Sequence, residues 1–389
     1  MIRRFYLCHM QGKYFFLIFF IFLSLNTQAQ YTISGRVLTE SGTEPLSKAS
    51  VYINNSTIGS ASNENGEYIM RDIKPGVYEV IVSYVGYEVI VYKIEIKSAD
   101  LRLTFKLVPK VKEMRDILVV TSDQREKWLK ILRENFLGQT LAADRSKILN
   151  EEDIFFERGQ SKNVVQAFSD VPLVIVNKEL GYRLYFDLQE FYFDAKEGRT
   201  LFFGFSRYEE MGEPDSEPRK KYIRNREKTY KGSTLHFYHS LLSDDLEGQG
   251  FSMYITRPAD TLKKENNLSP ELNGGKITVK MPAPQIAYTV SRKNILFTDS
   301  ADNNRIYLSW QGTLQVRYKF DPYYKAALQK KFIISGNLSK GFQSGIVMLE
   351  SPAYLDPNGI LINPLAVQFS GFWAYEKLAN MLPINYRPE

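Results

Sequence analysis

The 389-residue chain is poor in the side chains that most enzymes use: it has one cysteine and three histidines. The single Cys8 lies ahead of an apolar run, so the chain beyond that run has no thiol nucleophile, disulfide or cysteine-based metal site. A lipoprotein signal needs a cysteine directly after the run, and Gln30 stands there instead. No Gly-x-Ser-x-Gly elbow is present, which excludes the commonest hydrolase nucleophile. No glycine-rich phosphate loop is present either. The formal net charge is only +6, and Arg3, Arg4 and Lys13 supply three of it. A balance that mild speaks against nucleic acid or an anionic membrane surface as partner. Beyond the first 29 residues no long uncharged apolar stretch appears.

What is present begins with a leader. Arg3, Arg4 and Lys13 precede the nearly unbroken apolar run Phe15 to Leu25, and Asn26-Thr27-Gln28-Ala29 offers small residues for cleavage after Ala29. Residues 1–29 read as a secretory signal, too short to span a bilayer. The expectation is an exported protein, periplasmic or associated with the outer membrane, soluble after cleavage and not a lipoprotein. Aromatic residues make up 14% of the chain, and Tyr and Phe favour half-buried strands, so a mainly β fold is expected.

Residues 30–109 alternate apolar and polar side chains, as in Ile33, Gly35, Val37 and in Ala49, Val51, Ile53. Period-two patterning predicts half-buried strands. Ser41-Gly42-Thr43-Glu44-Pro45, Asn63-Glu64-Asn65-Gly66 and Lys74-Pro75-Gly76 punctuate them as turns. Seven short strands without a helix predict a sandwich. The positions Gly35, Val37, Pro45, Leu46, Ala49, Val51, Gly66, Tyr68, Ile73, Pro75, Gly76, Tyr78, Ser83, Tyr84, Gly86 and Tyr87 resemble the carboxypeptidase regulatory-like (transthyretin-like) domain. That resemblance implies a seven-stranded transthyretin- or Ig-like β-sandwich that accompanies catalytic domains without being one. Later segments such as "RNREKTYKGSTLHFYHSLL" and "GFWAYEKLANMLPINYRP" resemble stretches that follow this domain in exported proteins of Bacteroidota-type bacteria. They imply no chemical role.

Residues 110–138 read as a linker and a helix. Asp123 and Glu126 form a candidate capping pair, Trp128, Leu129, Leu132 and Phe136 recur at helical spacing, and Gly138 ends the run. Residues 139–389 read as one larger β-rich α+β domain. Its strand candidates include Leu173 to Val176, the alternating Tyr182 to Gln189, and Leu201 to Phe205. A charged loop is expected at 209–231, a polar loop at Pro258 to Gly275, and a closing helix at Trp373 to Leu382.

The search for chemistry centres on His236 and His239. A metallocarboxypeptidase needs two His and a Glu at the metal, and these two sit as His-Phe-Tyr-His with no Glu between them. A shared metal would need a third ligand, Asp244 or Asp245 being nearest, and the favoured reading is a helix with one packed and one exposed imidazole. Asn63, Asn65 and Gly66 read as a hairpin turn rather than a calcium loop. No catalytic residue, cofactor or metal is assigned. The candidate interaction residues are Arg224, Arg226, Tyr230, Ser233, His236, Phe237, Trp373 and Tyr386. The first six suit a protein-contact hot spot or a buried polar network, the network being favoured, while Trp373 and Tyr386 suit a core cap or a docking tail, the cap being favoured. The expected function is a non-enzymatic envelope protein that binds or scaffolds a protein partner, in particular an outer-membrane transport or assembly complex. The alternatives are a glycan-binding module, which asks for a row of exposed aromatics on one sheet face, and a hydrolase, which asks for a deep pocket with two close acids.

Overall fold

The computed structural model describes residues 30–110, 121–158, 163–258, 285–299, 305–319 and 342–388. The expected leader, the connector 111–120 and nearly all of the polar loop after Pro258 lie outside the described residues. The described residues gather around three hydrophobic cores.

The first core is the expected sandwich. Strands β1 (Tyr31–Thr39), β2 (Ser50–Ile53), β3 (Gly59–Ala61), β4 (Glu67–Ile73), β5 (Gly76–Ser83), β6 (Ile90–Ile96) and β7 (Leu101–Leu107) form two sheets, ordered β4-β1-β7 and β3-β2-β5-β6. Ile33, Val37, Val51, Ile53, Val80 and Val82 fill the space between them. Each such side chain, once buried, stabilises by roughly 1.5–3 kcal/mol. β7 lies parallel to β1, and Gly35 faces Leu103 in that register. A Cβ at Gly35 would stand 1.7 Å from the Leu103 carbonyl oxygen, so only glycine lets the two strands come this close.

The second core corrects the linker reading. Helix α1 (Ser122–Leu132) runs on through a π-helical turn at Arg133–Leu137, and Leu129, Leu132 and Phe136 are buried in this core. The helix is therefore part of a domain. Its cap is Thr121, whose hydroxyl accepts from the Gln124 N–H, and not the expected Asp123. Asp123 lies inside the first turn, where its charge meets the positive end of the helix. A short helix α2 (Leu141–Asp144) follows. The sheet beneath contains β8 (Ser146–Ile148), β9 (Ile154–Arg158), β10 (Val164–Ser169), β11 (Leu173–Asn177), β12 (Tyr182–Asp194) and β13 (Arg199–Glu210). β12 is long enough to pair with β11 along its first half and β10 along its second, while β13 covers its other edge.

Residues 139–389, expected as one β-rich α+β domain, bury their apolar side chains in two hydrophobic cores, the second and the third. The charged segment 209–231 is mostly not a loop. It holds the end of β13, a short turn, and helix α3 (Glu217–Tyr230), capped by the Ser216 hydroxyl with proline in its first turn. Helix α4 (Thr234–Leu242) packs Phe237 and Leu241 into the third core. Above it lie two sheets built from β14 (Phe251–Pro258), β15 (Gln285–Thr289), β16 (Leu296–Thr298), β17 (Ile306–Leu308), β18 (Thr313–Tyr318), β19 (Phe342–Met348), β20 (Ala353–Leu355) and β21 (Val367–Gly371). Their orders are β15-β14-β18-β19-β21 and β16-β17-β20.

The expected closing helix does not form. Two 3-10 turns, Phe372–Tyr375 and Leu378–Asn380, stand in its place. Trp373 belongs to the third core whereas Leu378 and Ala379 belong to the second. An α-helix rises only about 1.5 Å per residue, so the chain extends to reach from one core to the other.

Candidate functional site

Seven of the eight interaction candidates lie wholly or partly inside the molecule, at its joints. Arg226 is 3% exposed. Its Nε donates to the Leu180 carbonyl at 2.7 Å, its Nη2 to the Gly181 carbonyl at 2.9 Å, and its Nη1 to Glu210 at 2.9 Å. Its guanidinium also covers the Tyr182 ring at 3.8 Å. It thereby fastens α3 to the turn before β12. Trp373 donates from its indole N–H to the Gly232 carbonyl at 2.8 Å, and Phe237 is 1% exposed. Tyr386 is half-buried with its ring 5.7 Å from that of Tyr230. Arg224 alone is exposed.

The two histidines depart from the expected packed-and-exposed pair, since neither is exposed. Ser233 caps α4 through the His236 N–H. His236 Nδ1 accepts from the Gly232 N–H at 3.0 Å, which leaves Nε2–H to donate to Gln249 Oε1 at 3.1 Å. His239 Nε2 lies 2.9 Å from the Asn358 carbonyl, which can only accept, so Nδ1 accepts from the Tyr230 hydroxyl at 2.7 Å. All four ring nitrogens are engaged, and neither ring has a lone pair left for a metal. Burial lowers both pKa values, that of His239 to about 4 with help from Arg387, so both rings are neutral. Among the described residues no cluster of three metal-ligating side chains occurs.

His239 leads to the place where the third core's turn and the chain end meet the sandwich, a place that the sequence did not reveal. Asn358 accepts there from His239 and from Arg387 Nη2 at 3.2 Å. Its own amide donates to the Pro75 carbonyl at 2.8 Å and reaches the Tyr78 hydroxyl at 3.1 Å. Asp356 shapes this turn by accepting from the Asn358 and Ile360 N–H groups. The chain end latches on: the Ile384 N–H donates to the Asn55 carbonyl at 2.8 Å, and Asn385 exchanges two hydrogen bonds with Thr57. The Pro75-Gly76-x-Tyr78 motif was legible, but its role as a socket depends on residues about 280 positions away.

Between the sandwich and this tail runs a groove of about 510 Å³. Ile58, Ile69, Ile360 and Ile384 line it together with Arg71, Lys74 and Arg387, which outnumber the single acid Asp72. That volume lies within the range of ligand sites. A smaller cleft of about 160 Å³ shares Thr57, Asn385 and Arg387 with it and opens towards α3. Arg387 bonds only to carbonyls, those of Ile384, Tyr386 and Asn358, and forms no ion pair among the described residues. Burial pushes its pKa down, with Tyr230 and Asp356 pulling the other way.

The two alternative readings meet different results. Burial raises three acids, but in separate places: Asp187 beneath the Tyr52 hydroxyl, Asp356 in its turn, and Glu376 at the start of α4. None has another carboxylate among the charges that shift it, and none lines a described groove. A row of outward aromatics on one sheet face does exist, at Phe297, Tyr307 and Tyr354.

No helix among the described residues is long and apolar enough to cross a membrane. No curated protein matches the chain. Among solved structures it is similar to a DUF3823 family protein from Bacteroides ovatus, at 8% identity over 75% of this chain and 91% of that one, with a TM-score of 0.18. It is also similar to a type II cohesin–X-dockerin complex from Acetivibrio cellulolyticus, at 21% identity over 26% and 72%, with a TM-score of 0.18. A third match is catechol 1,2-dioxygenase from Acinetobacter sp. ADP1, at 12% identity over 25% and 58%, with a TM-score of 0.20. At such TM-scores these likenesses carry no argument about function. The family model of the CarboxypepD_reg-like domain matches residues 33–119, and the N-terminal sandwich is a domain of that kind.

Proposed function

We propose that this chain is a non-enzymatic, exported envelope protein whose junction groove holds an extended segment of a partner protein, the partner belonging to an outer-membrane transport or assembly complex. The observation that carries the reading is the groove itself, lined by isoleucines and a basic excess and set where the sandwich meets the turn at Asn358 and the chain's last residues. A partner that seats here touches the sandwich and the tail at once, which suits a scaffold. The engaged imidazoles and the scattered buried acids support binding over turnover. The leader supports the compartment, and the compartment supports an envelope partner.

Ile69 lines the groove yet is 41% exposed, so Ile69→Asp places a charge in the groove without opening a core. Affinity purification from envelope fractions is expected to recover one partner with the wild-type chain and to lose it with I69D, and the partner used as bait should recover the chain in return. A partner retained equally by I69D, or none at all, removes the reading.

A further inference from the structure

Phe297, Tyr307 and Tyr354 stand side by side on the β16-β17-β20 sheet. Phe297 is directly opposite Tyr307, and Tyr307 directly opposite Tyr354. Directly opposed residues of antiparallel strands share a face. Their neighbours Leu308, Ala353 and Leu355 point the other way and are at most 1% exposed in the third core. The row therefore faces outward, with Phe297 37% exposed and both tyrosines half-buried. The Phe297 and Tyr307 rings are stacked, 5.4 Å apart with 24° between their planes. The Arg305 guanidinium lies 5.7 Å from the centre of the Tyr354 ring.

The surroundings of the row are polar. Strand periodicity puts Asp299 and Arg305 on the same face at one side of the rings, and the Asp299 N–H donates to the Arg305 carbonyl. On the other side Ser309 Oγ and Ser351 Oγ lie 3.0 Å apart. The apolar strip is thus one ring wide and, at about 4.8 Å per strand, roughly 10 Å long. It is far narrower than the core of a stable protein–protein interface. Its shape fits an amphipathic chain with flat C–H faces and polar edges.

We propose that this row is a stacking platform for an oligosaccharide of all-equatorial pyranose units. Such units carry their axial C–H bonds on the two faces and their hydroxyls around the equator. The C–H faces lie against the outward sides of the three rings, and the equatorial hydroxyls meet Arg305 and Asp299 at one edge and the serine hydroxyls at the other. The site is separate from the junction groove and does not depend on a protein partner there.

Titration calorimetry of the full chain with cellohexaose and with chitohexaose tests it. Saturable binding of at least one is expected, weakened about tenfold by Phe297→Ala or by Tyr307→Ala. Tyr307→Phe keeps the ring and should keep most of the affinity, which separates stacking from hydroxyl bonding. Circular dichroism confirms that each variant folds, and the exposed F297A suffices if Y307A does not. Binding of chitohexaose alone points to an amino-sugar glycan such as the envelope contains, and binding of cellohexaose alone to an external glucan; either supports the platform. Failure of both sugars, or unchanged affinity in F297A, overturns it and leaves the groove test untouched.

Discussion

Glu376 sits with its carboxyl under the first turn of α4, where the Thr234 N–H donates to it, and its Oε1 has no hydrogen-bond partner among the described residues. Burial pushes its pKa up to about 8 from an ordinary 4.5. Between those values the unfolded chain gives up a proton that the folded chain keeps, so stability falls as pH rises. His239 works in the opposite sense. Its folded pKa of about 4 lies below the ordinary 6.5, so its contribution is full above pH 6.5 and is lost as pH falls towards 4. Their slopes oppose each other from 4.5 to 6.5, and from 6.5 to 8 only that of Glu376 remains. Across this upper window the wild-type chain is expected to lose about 2 kcal/mol. Glu376→Gln, which cannot ionise, should stay level, and thermal melts at both pH values read the difference. Equal losses in the two proteins would show that the carboxyl is ionised throughout.

Elements were legible in the sequence where their own pattern decides them. The seven sandwich strands and the long β12 follow period-two alternation, and α1 follows helical spacing. Errors arose where a distant partner decides. Trp373 and Leu378 look like one helical face, yet each is claimed by a different core, and the chain uncoils between them. The segment 209–231 looked like a solvated loop because its residues are charged. Arg226 is nevertheless the buried anchor of α3, satisfied by two carbonyls and Glu210 that sequence distance conceals. Lysine carries the charge but not the planar fork, so Arg226→Lys keeps at most part of this set and leaves buried carbonyls unpaired. A loss of about 2 kcal/mol is expected in urea unfolding. A loss as small as that of Arg224→Ala, made at the exposed neighbour, would mean that the fork contributes nothing to holding the helix.

Three cores in one chain raise the question of what makes them unfold together. The apolar joint between the sandwich and the second unit is small, Tyr52 and Ile81 against Phe205, with the Tyr52 hydroxyl bonded to Asp187 at 2.8 Å. Most of the remaining fastening is polar and falls in two places: Asn54, Asn55 and Ser56 bond to Ser206 and Tyr208 of the second unit, and Asn358 and the tail bond to the sandwich at Pro75, Tyr78, Asn55 and Thr57. A Cβ at Gly76 would stand 2.6 Å from Asn358 Nδ2 and 2.8 Å from Asp356 Oδ2. Both groups are held in the hydrogen-bonded turn at 356–360, so they cannot move aside independently. Gly76→Ala therefore wedges this turn away from the sandwich and breaks the bonds to Pro75 and Tyr78 together. Calorimetry of the wild-type chain is expected to show one transition, because a unit that unfolds first forfeits the joint of the other two. In G76A the sandwich should melt separately, since its own core, Ile33 through Leu107, is untouched. A single transition at the wild-type temperature would mean that the polar junction does not couple the units, and the groove it lines would lose the rigidity that the binding proposal requires.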